Sequence, residues 1–256
     1  MTTEFDTTKP SPARVHDFIL GGRDNFAADR AHADRVMRAF PEGGELAWAN
    51  RRFMWRSVRY CATHVGQIVD VGTGIPTSPN VAEVATRANH GSVVVGVDSD
   101  PVVLSYGRAP GEGEGVHIVP GDVREPERVI AALDGVVDWS RPVALVLIGV
   151  LHFVSDEDDP HRVVAAFRER LAPGSLLVVS HATYEGVGEQ TLERIRNANA
   201  DAPAPLHLRA AEEIRALFDG TEPVEPGVVD VHLWRPDALS GQRTDLRVLG
   251  GVGRIS

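Results

Sequence analysis

The sequence predicts an α/β fold: a doubly wound, mostly parallel seven-stranded sheet with a helical N-terminal extension. Three observations carry this. From residue 67 onward, short β-branched runs alternate with helical segments. The runs are apolar throughout, as strands buried on both faces are, whereas half-exposed strands alternate. Glycine or proline punctuates the junctions, where the chain must turn.

Residues 1–11 are polar without an apolar period and are expected to form a disordered tail. Ser11-Pro12 reads as a hydroxyl N-cap followed by proline at the first helical position. A helix over Ala13–Leu20 follows, stopping at Gly21-Gly22, where positive φ costs little. Asp24 or Asn25 is placed to cap a second helix, Phe26–Phe40, and a turn at Pro41–Gly44 leads to a third, Glu45–His64. That helix carries Leu46, Ala49, Phe53 and Tyr60 on one apolar stripe, with Arg51, Arg52, Arg56 and Arg59 around much of the remainder. These helices make up the extension, residues 12–66, and residues 67–256 form the main domain. Strands are expected at Gln67–Val71, Ser92–Val97, Val116–Val119, Val143–Val150 and Ser175–Ser180, with Gly227–His232 and Asp245–Leu249 closing the sheet. Between and after the first five lie helices at Ser78–Asn89, Pro101–Arg108, Glu125–Leu133, His161–Leu171, Glu189–Asn199 and Ala210–Phe218.

Composition narrows the function. A formal net charge of −10 offers no basic excess for releasing counterions from nucleic acid, so no nucleic-acid partner is expected. A single cysteine, Cys61, excludes an intrachain disulfide and any multi-cysteine metal site. The longest strongly apolar stretch, Val143–Leu151, falls well short of the ~20 residues that cross a bilayer, and the N-terminal residues lack the apolar core of a secretory signal. A cytoplasmic protein with no membrane partner is expected. Of 26 basic residues only Lys9 is a lysine, which closes off Schiff-base chemistry. The acidic run Asp156–Asp159 reads as a complement to a helix dipole rather than a metal site.

In a doubly wound sheet the ligand lies over the carboxyl ends of the strands. The first strand ends in Asp70-Val71-Gly72-Thr73-Gly74, with glycines that let the backbone turn tightly and approach a ligand. The second ends in Asp98-Ser99, a carboxylate placed to accept both hydroxyls of a ribose. The third is followed by Gly121-Asp122-Val123. Thr77 stands where a dinucleotide-binding fingerprint would have its third glycine.

These segments, with Leu171–Leu176, resemble the successive motifs of class I S-adenosylmethionine-dependent methyltransferases, which have a Rossmann-like fold. Ala13–Phe26, Asn50–Phe53, Gly72–Thr77, Leu151–Val154 and Gly251–Arg254 further resemble an actinobacterial S-adenosyl methyltransferase family, over nearly the whole chain from residue 12. The resemblance implies that the N-terminal helices cover the cofactor. It places Asp70, Gly72, Thr73 and Gly74 around the methionine part of S-adenosylmethionine, Asp98 and Ser99 at the ribose, and Asp122 and Val123 at the adenine. Ile148 and Gly149 then lie beside the methionine, with Asn25 and Arg51 as candidates for its carboxylate. His16 and Phe18 stand where the family usually shows tyrosines, and Phe18 is a stacking candidate. His16, Phe153 and Tyr184 are candidate acceptor contacts.

His152 and His181 end the fourth and fifth strands, and either is a candidate general base. The implied reaction is transfer of the methyl group to a small-molecule acceptor by in-line displacement, leaving S-adenosylhomocysteine. Two other readings stay open: a non-catalytic S-adenosylmethionine-binding protein, and a nicotinamide-dependent oxidoreductase on the related fold.

Overall fold

A computed structural model describes residues 6–107, 116–238 and 244–256. The start of the expected tail, residues 1–5, and Arg108, the expected end of the fifth helix, lie outside the described residues. The chain opens with α1 (Pro12–Ile19), α2 (Ala27–Ala39) and α3 (Gly43–Ala62). Then β1 (Gln67–Val71), α4 (Val81–Ala88), β2 (Val93–Asp98), α5 (Pro101–Tyr106), β3 (Val116–Pro120), α6 (Pro126–Leu133) and β4 (Val143–Ile148) alternate. After a 3-10 turn at Leu151–Phe153 come α7 (Pro160–Arg170), β5 (Leu176–Thr183), α8 (Glu189–Asn199), α9 (Ala211–Ala216), β6 (Thr221–Pro223), β7 (Val229–Asp230) and β8 (Arg247–Ile255).

The sheet runs β3-β2-β1-β4-β5-β8-β6, with β7 also paired to β8. β1 to β5 are parallel, and β8 lies antiparallel against β5 over its full length, from Leu176↔Arg254 to Thr183↔Arg247. Successive residues of each strand point to opposite faces. Ile68, Val94, Val146 and Val178 therefore join α3 and α4 in one core, with Phe53, Val58 and Cys61 of α3 fully buried. Val69, Val95, Leu145 and Leu177 join α6 and α7 in the other. With helices on both faces, the uniformly apolar strands have their physical reason. No helix among the described residues is long and apolar enough to cross a membrane.

Several local expectations are corrected. Ser11 occupies the N-cap position of α1 but makes no side-chain cap bond, because its hydroxyl is engaged by Asp100. The tail is anchored from Lys9 to Ser11: the Lys9 carbonyl accepts from Arg14 at 2.7 Å and the Ser11 amide donates to Asp29 at 2.9 Å. Neither Asp24 nor Asn25 caps α2; Asp29 reaches back to the Phe26 amide at 2.8 Å instead. The fourth helix begins at Val81 rather than Ser78, since Asn80 is its cap, accepting from Glu83 at 3.0 Å. Of the acidic run, Asp159 caps α7, but Asp156 turns away to pair with Arg209 at 2.7 Å. The expected strand Gly227–His232 shrinks to β7, β6 is additional, and β8 continues through Gly250, Gly251 and Gly253 to Ile255. Those glycines serve close packing rather than a turn: a Cβ on Gly250 would lie 2.9 Å from the Phe53 ring.

Candidate functional site

β1 and β4 are neighbours, and the connections from them run to opposite sides of the sheet, leaving a crevice at their carboxyl ends. A cavity of about 800 Å³ occupies that crevice, within the ~300–1,000 Å³ typical of small-molecule sites. The ends of β1 to β4 form its floor, and α1 and α3 supply the wall above. Arg51, Asp70, Gly72, Thr73, Gly74, Asp98, Ser99, Asp122, Val123, Ile148 and Gly149, expected at the cofactor, all line it. So do His16, His152 and Phe153, expected at the acceptor or the chemistry.

The β1 turn is held open by its glycines. Gly72 and Gly74 have φ of +75° and +66°, the region that favours glycine. A Cβ on Gly72 would meet Val150 at 2.6 Å, whereas one on Gly74 would meet nothing within 4 Å. The Gly74 amide donates to Asp98 Oδ2 and the Asp100 amide to Asp98 Oδ1, each at 2.9 Å. Asp98 is thus fixed from both sides, and its carboxylate keeps acceptor capacity for a ligand. Burial raises its pKa, against the lowering effect of those amides.

Asp70 lies on the same face of β1 as Ile68, under α3. It accepts from the Thr73 hydroxyl at 2.6 Å. Burial pushes its pKa up to about 6, opposed by that bond and by the Arg51 guanidinium. Arg51 also donates to the Thr77 and Pro79 carbonyls, and Trp55, one helical turn on, donates to Pro79 at 2.8 Å. The two side chains clamp the loop that leaves the glycine turn. Asp122 pairs with Arg124, which holds its carboxyl below the usual range.

Beside Gly149, whose φ is +68°, two buried polar atoms have no hydrogen-bond partner among the described residues: Asn50 Oδ1 and His152 Nδ1. A Cβ on Gly149 would lie 3.1 Å from Asn50 Nδ2 and 3.8 Å from His152 Cε1, so both side chains flank this glycine. Burial, with repulsion from His181, His16 and Arg209, holds the His152 pKa well below its ordinary value. His16 is open to the cavity yet enclosed by protein; burial and Arg51 push its pKa down to about 4.

Four expected site residues stand away from the cavity lining. His181 is fully buried, with Nδ1 2.8 Å from the Ala182 carbonyl and Nε2 2.8 Å from Arg209 Nη1, so neither nitrogen is free to act as a base. Tyr184 is 39% exposed. β5 runs three residues past Ser180, the partner of Ile148 in the register, and carries Tyr184 beyond the cavity. Phe18 follows His16 by two residues, about 200° around the helix, and so faces elsewhere. Asn25 donates to Asp17 Oδ2 at 2.8 Å and to the Gly22 carbonyl at 3.2 Å, so it orients Asp17 rather than lining the site.

Asn50, Asp17, Asp100 and His207 line the cavity without having been singled out. Asn50 and Asp17 sit inside the motif blocks quoted above, which was their only signal in the sequence.

The description "S-adenosyl methyltransferase" belongs to a protein family whose pattern matches residues 1–256. A DUF574 family protein from Streptomyces avermitilis is 37% identical, superposes with a TM-score of 0.91, and is matched over 98% of this chain and 99% of its own. A protein from Thermobifida fusca is 38% identical, with a TM-score of 0.90 and coverage of 98% and 97%. An S-adenosylmethionine-dependent methyltransferase from Mesorhizobium loti, 20% identical over 79% of this chain and 97% of its own with a TM-score of 0.53, shares the fold. No curated protein matches the chain.

Proposed function

The chain belongs to the S-adenosyl methyltransferase family and is an S-adenosylmethionine-dependent methyltransferase; we propose that it methylates a small-molecule acceptor by in-line displacement, leaving S-adenosylhomocysteine. The observation that carries the cofactor geometry is Asp98, a buried carboxylate in the cavity wall that backbone amides hold at both oxygens, with acceptor capacity to spare. That donor-hungry pair suits a ribose diol. The open space beside Gly74 and the unpartnered Asn50 Oδ1 fit the methionine part of the same cofactor, one giving room and the other an acceptor for its amine.

Asp98 holds the ribose hydroxyls. Asp122 and the Val123 amide meet the adenine. Asp70 and Asn50 receive the amino group of the methionine part, and Arg51 faces its carboxylate, a planar guanidinium suiting a planar anion. When bound, S-adenosylmethionine supplies a methyl group already activated on a sulfonium centre, so alignment is the protein's main task. Gly149, having no side chain, leaves open the space between Asn50 and His152. His152, neutral at working pH, is the candidate to take a proton from the acceptor, and α1 to α3 exclude water from above.

Isothermal titration with S-adenosylhomocysteine, with NADH in parallel, tests the cofactor geometry. Saturable binding of S-adenosylhomocysteine alone, weakened by Asp98→Ala, is expected. NADH binding in its place would overturn the assignment of the strand-end carboxylates.

A further inference from the structure

The main cavity adjoins a smaller one of about 130 Å³, with which it shares His16, Phe153, Pro203 and Ala204. This annex lies between α1, α2 and the segment after α8, and Val15, Ile19, Val36 and Leu206 are among its walls. Among the described residues no aspartate, glutamate, lysine or arginine lines it. Apart from His16 on the shared wall, its polar side chains are engaged elsewhere: the Ser11 hydroxyl with Asp100, His32 Nδ1 with Arg35 at 3.0 Å, and Asn199 Nδ2 with the Ile195 carbonyl at 2.8 Å. Burial and Arg35 hold the His32 pKa below its ordinary value. An apolar void of about 150 Å³ holds a benzene ring, so this one is ring-sized.

At the other end of the shared wall stands His152. Its ring meets that of Phe153 edge-on at 4.5 Å, and its Nδ1 is buried without a partner. A neutral imidazole carries one N–H and one acceptor nitrogen, and His152 lines the main cavity, so its acceptor nitrogen can take a donor from a ligand there. The annex therefore asks for an apolar, uncharged ring, and His152 asks for an O–H.

We propose that the annex, Phe153 and His152 together form the acceptor subsite, and that the acceptor is an uncharged ring compound bearing a hydroxyl, phenol-like in chemistry. The ring sits in the annex and the hydroxyl donates to the acceptor nitrogen of His152. This rests on the methyl-transfer reading above. In the transfer, the hydroxyl oxygen's lone pair bonds to the methyl carbon as the carbon–sulfur bond breaks, its electron pair staying on sulfur. The hydroxyl proton passes to that nitrogen of His152, which returns it to solvent.

The test is calorimetric binding to the full chain saturated with S-adenosylhomocysteine, using 2-naphthol, 2-naphthoate and 2-naphthylmethylammonium as probes. The neutral naphthol is expected to bind best. Val36→Asp, which puts a charge in the annex, and Ala202→Phe, which fills it, each weaken naphthol about tenfold or more and leave S-adenosylhomocysteine affinity within about twofold. Tighter binding of the carboxylate or the ammonium overturns the acceptor class. S-adenosylhomocysteine binding without any naphthol binding, or naphthol binding indifferent to both variants, overturns the subsite while the methyltransferase reading stands. Failure of S-adenosylhomocysteine itself to bind overturns both.

Discussion

Arg209 Nη1 lies 2.8 Å from Nε2 of His181, deep beneath the 3-10 turn that carries His152. A guanidinium can only donate, so Nε2 accepts and the proton sits on Nδ1, which donates to the Ala182 carbonyl at 2.8 Å. Arg209 also donates to the carbonyls of Leu151 and Val154, at 3.3 and 2.8 Å. His181 thus belongs to the scaffold that holds the turn. The ring of His152, 5.7 Å away, keeps an unpartnered Nδ1.

His181→Ala is accordingly expected to lower stability, by about 1–3 kcal/mol for a buried bond to a charged group. Urea unfolding measures this. His152→Ala should leave stability nearly unchanged and slow methyl transfer to a hydroxyl acceptor. A His181→Ala variant of unchanged stability, with the pH profile displaced instead, would contradict the assignment.

Asp70 makes cofactor affinity depend on pH. Its folded pKa, about 6, is raised by burial above the ordinary aspartate value of 3.8, while Thr73 and Arg51 lower it and Asp98 raises it. The protonated form is therefore favoured by the fold, so this stabilising contribution is complete below 3.8 and is lost as pH rises through about 6. A cationic amino group favours the ionised form. S-adenosylhomocysteine affinity is thus expected to weaken as pH falls through about 6, and Asp70→Asn to flatten that dependence. Titration calorimetry across this range would expose a flat wild-type profile if the contact were absent.

Asp98→Ala removes the ribose acceptor and the anchor of two loop amides together. S-adenosylhomocysteine binding is expected to weaken about 100-fold, from one or two charge-assisted bonds at about 1.5–3 kcal/mol each. Asp98→Asn, which keeps one acceptor oxygen, falls between. An affinity for Asp98→Ala equal to wild type would remove the ribose assignment.

Gly72→Ala tests the turn itself. The new Cβ would lie 2.6 Å from Val150 at a φ of +75°. Strained non-glycine backbone costs about 1–3 kcal/mol, with the clash in addition. The variant is expected to melt earlier and bind S-adenosylhomocysteine more weakly. Gly74→Ala has the same unfavourable φ but open space, so it should lose less stability.

The order of elements, the parallel core of the sheet and the strand-end residues Asp70, Gly72, Gly74, Asp98 and Asp122 were legible in the sequence. Local signals specify them: apolar runs mark doubly buried strands, and glycines and carboxylates at fixed offsets mark the turns that follow. The Asn50–Phe53 block marked the helix above the site without saying which of its side chains face inward. What escaped depends on pairing across long separations. The glycines of β8 look like a loop until Phe53 and Thr221 are seen occupying the space their side chains would fill. Tyr184 reads as an acceptor contact until the antiparallel partner β8 is seen drawing β5 three residues past the crevice.

The histidines divide along the same line. His152 and His181 are equivalent as residues that follow apolar runs, and no local pattern separates them. Arg209, 28 positions beyond His181 in the chain, commits one and leaves the other free. The sequence by itself determined the fold class and the carboxylates at the strand ends, because periodicity and turn chemistry act over a few residues. The tertiary structure decided which titratable groups keep an open lone pair, because that depends on which distant side chain arrives to fill it.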